Sequence, residues 1–320
     1  MKKMRAVLCT KYGEPNVLKL TEVKKPIPKE NEILVKIHAT AVTASDCLLR
    51  GLKVPGGHRF PMKQLMKFGM RVFIGFTKPR NPILGLVFSG VIEETNNITN
   101  FKLGDEVYGF TGVSRGTYAE YKCVSIKEVE SGEIALKPKN ASHQEAVAIV
   151  YGGVLAMHFM RNANIKKGQK VLIYGASGSN GTAAVQIAKY HGAQVTAVCS
   201  NKNFDLVKSL GAIKVIDYTS KEAINKLEKY DFILDAVGKN KTSRLKVASK
   251  TALTSNGSYA SVDDGFLKIK LSYLKKLKTY FETGNFKAII DRTYSLNDTE
   301  KAHEYVEEGH KKGNVIINVV

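Results

Sequence analysis

The stretch Val171–Val198, VLIYGASGSNGTAAVQIAKYHGAQVTAV, constrains this chain more than any other. Val171-Leu172-Ile173-Tyr174 is a short apolar run of the kind that forms a buried strand. Gly175, Ala176, Ser177, Gly178, Ser179 and Gly181 follow, and then apolar Ala184, Ile187 and Ala188 recur at helical spacing. Gly192 suits a helix stop, and Gln194-Val195-Thr196-Ala197-Val198 starts a second strand. Strand, tight turn, helix, strand is the first βαβ unit of a dinucleotide-binding fold. There a loop of small residues lets backbone N–H groups and a helix N-terminus meet a pyrophosphate. The fingerprint runs Ala176-x-Gly178-x-x-Gly181, with Ala in place of the first Gly. The turn from Gly175 to Gly181, Asn180 included, is therefore the candidate cofactor cradle. The alternative is a Gly-rich turn that binds nothing.

The same alternation continues around that unit. Ser142-His143-Gln144-Glu145 suits a helix start, and 146–161 is helix-like with Gly152-Gly153 inside it. Helices are expected at 182–191, 204–210, 221–227 and 268–282, and strands at 194–198, 214–217, 232–237 and 257–262. Alternating strands and helices predict a parallel sheet with helices on both faces. Before them lie short strands at 5–9, 17–20, 32–39, 83–92, 106–110 and 117–123, which predict a β-rich, barrel-type first domain. The tail is β-like again at 292–294 and 315–320, and is expected to return to that domain. The boundaries expected are 1–147 with 286–320 for the first domain and 148–285 for the second.

Composition narrows the function classes. The 320 residues carry 43% hydrophobic and 24% charged side chains, as an ordinary globular chain does. No apolar run reaches the ~18 residues of a membrane span, the N-terminus lacks a secretory signal pattern, and a cytoplasmic location is the expectation. The net charge of +20 comes from lysines scattered along the whole chain with no nucleic-acid-binding motif. It predicts a solvated basic surface rather than a nucleic-acid site. Cys9, Cys47, Cys123 and Cys199 stand far apart, without disulfide or zinc-ligand spacing. One segment, Gly56–Asn81, is odd. Its Met62–Phe73 part has Met62, Leu65, Met66, Met70 and Phe73 on an apolar stripe and Lys63, Lys67 and Arg71 recurring every fourth residue, a basic amphipathic helix. A lid or brace packing on its own domain is the first expectation, and peripheral contact with an anionic membrane the second.

Taken together, Phe101-Lys102-Leu103-Gly104-Asp105-Glu106-Val107, Gly116-Thr117-Tyr118-Ala119-Glu120-Tyr121, Gly175–Lys189, Leu234-Asp235-Ala236-Val237-Gly238 and Ala302-His303-x-Tyr305-Val306-x-x-Gly309-x-x-x-Gly313 resemble the medium-chain dehydrogenase/reductase superfamily. Within it the chain is similar to the zinc-free quinone oxidoreductase-like branch. The resemblance implies an α/β protein, a GroES-like barrel-type catalytic domain plus a Rossmann dinucleotide-binding domain. It also implies a homodimer. Zinc alcohol dehydrogenases place a Cys where Thr43 stands and Gly-His-Glu where this chain has Gly85-Leu86-Val87, and neither Leu nor Val can ligate a metal. No zinc is therefore expected. Without a Lewis acid, reduction of a quinone or an α,β-unsaturated carbonyl remains feasible. A reductase of another carbonyl or enoyl thioester class is the alternative, and a cofactor-dependent RNA- or membrane-binding protein without turnover a third.

The cofactor can be argued physically. A carboxylate ~20 residues past the turn would bond the ribose 2′-OH of NAD. Here the second strand runs instead into Ser200 and Lys202, which suit a 2′-phosphate. The resemblance adds Tyr218, after the third strand, and Val237. NADPH is the expected cofactor. For catalysis the resemblance carries over incompletely: quinone oxidoreductases often have Asn where Thr43 stands, a Tyr near Leu48 and a Thr near Leu155. Thr43 is expected to donate a hydrogen bond to the nicotinamide ribose. Tyr151 is the next candidate proton donor, with a buried aromatic at a domain boundary as its alternative reading. His158 is expected to be structural.

Overall fold

A computed structural model describes residues 2–54, 61–98, 100–238, 242–265 and 267–320. The start of the Gly56–Asn81 segment, up to residue 60, lies outside the described residues. The chain opens with a hairpin of β1 (Lys3–Cys9) and β2 (Leu18–Lys24). Then come β3 (Glu32–Val42), α1 (Ala44–Arg50), α2 (Met62–Ile74), β4 (Val87–Thr95), β5 (Glu106–Phe110), β6 (Tyr121–Ser125), α3 (Ile126–Glu130) and β7 (Ile134–Leu136). Helix α4 (His143–Met160) leads into β8 (Lys170–Tyr174), α5 (Ser179–Tyr190), β9 (Gln194–Cys199), α6 (Phe204–Ser209), β10 (Ala212–Asp217), β11 (Tyr230–Asp235), α7 (Arg244–Ser249), β12 (Leu253–Ser261) and α8 (Leu271–Glu282). The chain closes with β13 (Ile290–Ser295), α9 (Thr299–Glu307) and β14 (Asn314–Asn318).

Two larger sheets carry these elements. The second half forms a parallel sheet in the order β10-β9-β8-β11-β12, the doubly wound order with its reversal beside β8. The first half and the tail form a sheet in the order β13-β14-β3-β4-β5-β7, with β6 also paired to β3. The long β3 makes this possible, because its first residues meet β6 and its last four meet β14. The tail strands β13 and β14 thus belong to the sheet of the first half.

Helix α4 joins the two halves. It starts on a capping box, in which Ser142 Oγ accepts from Glu145 N while the Glu145 carboxylate accepts from Ser142 N. From Ala146 to Met160 every residue except Leu155 is buried, as befits a helix that is apolar all round. The expected boundary at 147/148 therefore falls inside a continuous helix. Its core joins Ala39, Val87 and Tyr108 of the first half with Val171, Ala184 and Leu277 of the second.

Three expected elements differ. The helix expected at 221–227 is only a 3-10 turn, Ala223–Lys226, because Ala223 alone is buried there and no apolar face holds a longer helix. The strand expected from Ile83 begins at Val87: Gly85 takes φ +94°, and Ile83 makes only an isolated bridge to Leu8. The strand expected from Thr117 begins at Tyr121, with Ala119 bridging Ala6. Helix α2 forms as predicted; none of its residues is buried, and Met66, Met70 and Ile74 are half-buried.

Candidate active site

The turn between β8 and α5 is shaped by glycine where glycine is required. Gly175 takes φ +81°, and a Cβ there would stand 2.4 Å from Val237 Cγ2. A Cβ on Gly181 would stand 2.1 Å from the Gly175 carbonyl oxygen, so the first turn of α5 packs directly on the loop. Gly178 differs, because its Cβ would meet only the Gly175 carbonyl oxygen at 3.7 Å. It is the N-cap residue of α5 and supplies no side-chain cap. An uncapped helix N-terminus behind an open glycine is a seat for a phosphate. The N–H groups of Gly175 and Ala176 are not part of that seat: both donate to the Val198 carbonyl at 3.0 Å and shape the turn instead.

Ser177 and Ser179 turn toward the tail of the chain. The Ser177 carbonyl accepts from Gly313 N at 2.9 Å, and Ser179 Oγ donates to Asn314 Oδ1 at 2.6 Å. Asn180 is buried, yet neither its Oδ1 nor its Nδ2 has a hydrogen-bond partner. Buried amides are nearly always paired, so this one points to a ligand group in the cradle. The residues present fit a phosphate-bearing dinucleotide.

The other expected cofactor residues gather at the strand ends. Cys199 and Asp217 are in register on β9 and β10, so Ser200 and Tyr218 follow them side by side. Ser200 Oγ accepts from Asn203 Nδ2 at 3.2 Å, while Lys202 and Tyr218 are exposed. On the other side of β8, Val237 is held by its N–H donating to Asp235 Oδ1 at 3.0 Å. Asp235 in turn makes a buried ion pair with Lys246, at 2.7 Å.

The catalytic side is assembled by α4 and α1. Gly152 of α4 explains its own presence: a Cβ would stand 2.2 Å from the Ser179 carbonyl oxygen. Tyr151 precedes it in α4. The ring stacks on Phe110 with centroids 5.8 Å apart, and the hydroxyl lies 2.9 Å from Ser45 Oγ. Burial raises its pKa, while the hydrogen bond with Ser45 opposes the rise. Tyr151 is thus both the buried boundary aromatic and a polar group with a partner.

Thr43 requires a correction. Its hydroxyl donates to Asp46 Oδ2 at 2.6 Å and accepts from Asp46 N at 3.2 Å, closing a capping box at the start of α1. Its one hydrogen is therefore held by Asp46 and not offered to a ribose. Asp46 is fully buried and accepts also from Gly85 N at 3.2 Å; burial pushes its pKa up to about 6 against these hydrogen bonds. Sequence reasoning missed Ser45 and Asp46. The Thr43-x-x-Asp46 spacing signals the cap, but nothing in the sequence pairs Ser45 with Tyr151.

Two further groups complete the surroundings. Lys311 donates to the Gly313 carbonyl at 2.5 Å, beside the cradle, and burial lowers its pKa to about 8. His303 lies between Cys47 Sγ at 3.4 Å and Tyr118 Oη at 3.1 Å; burial brings it down to about 3, and it is neutral and structural. His158 is also buried and accepts from Lys268 N, a structural role. All four cysteines are free, and among the described residues no three His, Cys, Asp or Glu side chains converge to hold a metal ion.

Comparisons with known proteins agree with this architecture. Residues 29–131 match the alcohol dehydrogenase GroES-like domain family and residues 210–317 the zinc-binding dehydrogenase family. Across 99% of its length the chain is 30% identical to the mitochondrial NAD(P)H oxidoreductase RTN4IP1 of Mus musculus, covering 89% of that protein. It is 31% identical to the 2-methylene-furan-3-one reductase of Solanum lycopersicum, over 99% of this chain and 79% of that one. Among solved structures, the quinone oxidoreductase from Coxiella burnetii superposes with a TM-score of 0.82 at 25% identity, over all of both chains.

Proposed function

The chain belongs to the medium-chain dehydrogenase/reductase superfamily, and from that premise we propose that it is a zinc-independent, NADPH-dependent reductase of quinones or α,β-unsaturated carbonyls. The observation that carries the reading is the cradle: an uncapped α5 N-terminus behind an open Gly178, with the unpartnered Asn180 amide inside it. When bound, NADPH supplies a hydride to the electrophilic carbon of the substrate.

The chain's own residues do the rest. The N–H groups at the start of α5 hold the pyrophosphate. Ser200 and Lys202 hold a 2′-phosphate, where a carboxylate would repel it. Tyr151 hands its hydroxyl proton to the substrate oxygen as negative charge develops there, and Ser45 keeps that hydroxyl oriented. Thr43, Leu86 and Val87 stand at positions where zinc enzymes of this superfamily carry ligands, and none of them is a zinc donor. The donor set does not fit zinc, and no step passes through a metal.

The substrate classes follow the names of the relatives, one a quinone oxidoreductase and one a furanone reductase. Steady-state NADPH oxidation against quinones, enones and enals tests the reading. Turnover of at least one class, faster with NADPH than NADH and resistant to chelators, is expected; absence of turnover on all of them overturns it.

A further inference from the structure

Helix α2 presents an arc of large apolar side chains to solvent. Leu65, Phe68 and Val72 share one side of it and are 66%, 59% and 39% exposed, and Phe73 is 82% exposed. Phe76, just past the helix, meets Phe68 edge-on with ring centroids 6.4 Å apart. Met66, Met70 and Ile74 on the opposite side are only half-buried. Single exposed apolar residues are ordinary, but a contiguous strip of large ones marks an interaction surface.

The strip is also built to stay there. Gly75 ends the helix at φ +123°, where a Cβ would stand 2.1 Å from the Lys78 carbonyl oxygen. Tyr12 Oη donates to the Gly75 carbonyl at 2.9 Å, and Arg80 donates to the Val72 carbonyl at 2.8 Å.

Charge selects the partner. From Cys47 to Ile92 the sequence has eight Lys or Arg and no Asp or Glu. Arg50 and Lys53 are paired with Glu307. Lys63, Lys67, Arg71, Lys78 and Arg80 have no acidic partner among the described residues. A second copy docking face to face would bring two such acid-free surfaces together, which repulsion opposes. A 13-residue helix is too short to span a bilayer, and no helix among the described residues is long and apolar enough to do so.

We propose that α2 is a peripheral docking element for an anionic phospholipid surface. Leu65, Phe68, Val72, Phe73 and Phe76 enter the boundary between headgroups and acyl chains, Arg71 beside Phe68 sits on the anionic headgroups, and the other lysines and arginines of the segment add longer-range attraction. The proposal is independent of the redox chemistry assigned above.

The chain contains no tryptophan, so Phe68→Trp provides a single fluorescent reporter on the strip. Vesicles of phosphatidylcholine, with and without phosphatidylserine, are the probe. With phosphatidylserine the emission shifts to the blue and the protein co-sediments, and raising the salt reverses both. Neutralising Lys63, Lys67 and Arg71 to Gln weakens binding at least about fivefold, from ~1 kcal/mol for Arg71 at the surface with smaller longer-range contributions from the two lysines. Phe68→Ser with Phe73→Ser abolishes it with an unchanged thermal melt, since neither side chain is buried. Val247→Trp, at an exposed position of α7, is the control and does not shift. The proposal is overturned by no shift with either vesicle, or by an equal shift of the Val247→Trp control, which would mean diffuse attraction to the whole basic protein. A lipid-independent shift that grows with protein concentration would put a second copy on the strip and overturn it as well.

Discussion

The Tyr151 hydroxyl lies 2.9 Å from Ser45 Oγ, joining two residues that are 106 positions apart in the chain. The pair joins α4 to α1, and the proposed function makes the Tyr151 hydroxyl the proton source. Tyr151→Phe removes the proton and keeps the stack on Phe110. It is expected to lower kcat about 100-fold while the Kd for NADPH stays unchanged. Ser45→Ala is expected to lower kcat less, through a misoriented hydroxyl. A Tyr151→Phe enzyme with wild-type kcat in stopped-flow turnover would move the donor elsewhere.

The proposed function puts the choice between the two nicotinamide cofactors on Lys202. Lys202→Ala removes one charge-assisted hydrogen bond and is expected to raise the Kd for NADPH about tenfold, leaving that for NADH in place. Fluorescence titration with both cofactors measures the ratio. An unchanged ratio would return Lys202 to the general basic surface.

Asn180 makes a prediction with two opposite signs. The unpartnered amide costs the free protein stability, so Asn180→Val is expected to stabilise it by about 1–3 kcal/mol. The same substitution is expected to weaken NADPH binding, because the amide loses the ligand partner it was held for. A melt of the cofactor-free protein and a binding isotherm read the two effects separately. Higher stability with unchanged affinity would show that the amide does not face the cofactor.

Asp235 and Lys246 are 2% and 5% exposed at the side chain and 2.7 Å apart. Asp235→Ala leaves a buried cation without its main partner and is expected to cost about 3–5 kcal/mol. It also removes the acceptor for Val237 N and Gly238 N. NADPH binding is expected to weaken with stability, since Val237 packs on Gly175. Equilibrium urea unfolding measures the first effect. Asp235→Leu combined with Lys246→Met is expected to restore most of the stability.

Acid should destabilise the fold below neutral pH. Burial holds His303 at about 3, and burial with the stacked His38 holds His143 at about 4. In the unfolded chain both take a proton near 6.5. Between those limits the unfolded state binds more protons, so each histidine lowers stability by up to ~1.4 kcal/mol per pH unit as pH falls. Asp46 acts in the opposite sense: held up to about 6, it takes its proton earlier in the folded state. Urea midpoints are therefore expected to fall between pH 6.5 and 4, more steeply in Asp46→Asn. A flat profile would contradict the burial of both imidazoles.

Much of this architecture is legible in local patterns. Val171–Val198 announces its strand, turn and helix because each obeys a rule of periodicity or small-residue placement within a few positions. The capping boxes at Ser142 and Thr43 are equally local. What cannot be read is whatever depends on approach through space. Gly152 and Gly153 look like weak points in a helix, yet they are the places where α5 and α8 come closest to α4. Thr43 looks like a free hydroxyl until Asp46 is seen to hold its hydrogen. The expected Lys221–Leu227 helix fails because helical spacing without buried apolar side chains gives a helix nothing to rest on. For α2 the sequence shows an apolar stripe but not which way it faces.

The bond from Gly313 N to the Ser177 carbonyl, followed immediately by the pairing of β14 with β3, has a consequence for the order of assembly. Residues 313–318 are translated after nearly everything they join. Until they emerge, the early sheet lacks the strand that flanks β3, and the phosphate seat lacks one of its walls. A nascent chain can therefore form the parallel sheet first, while the early sheet and the wall of the phosphate seat are completed together, late, when the tail arrives.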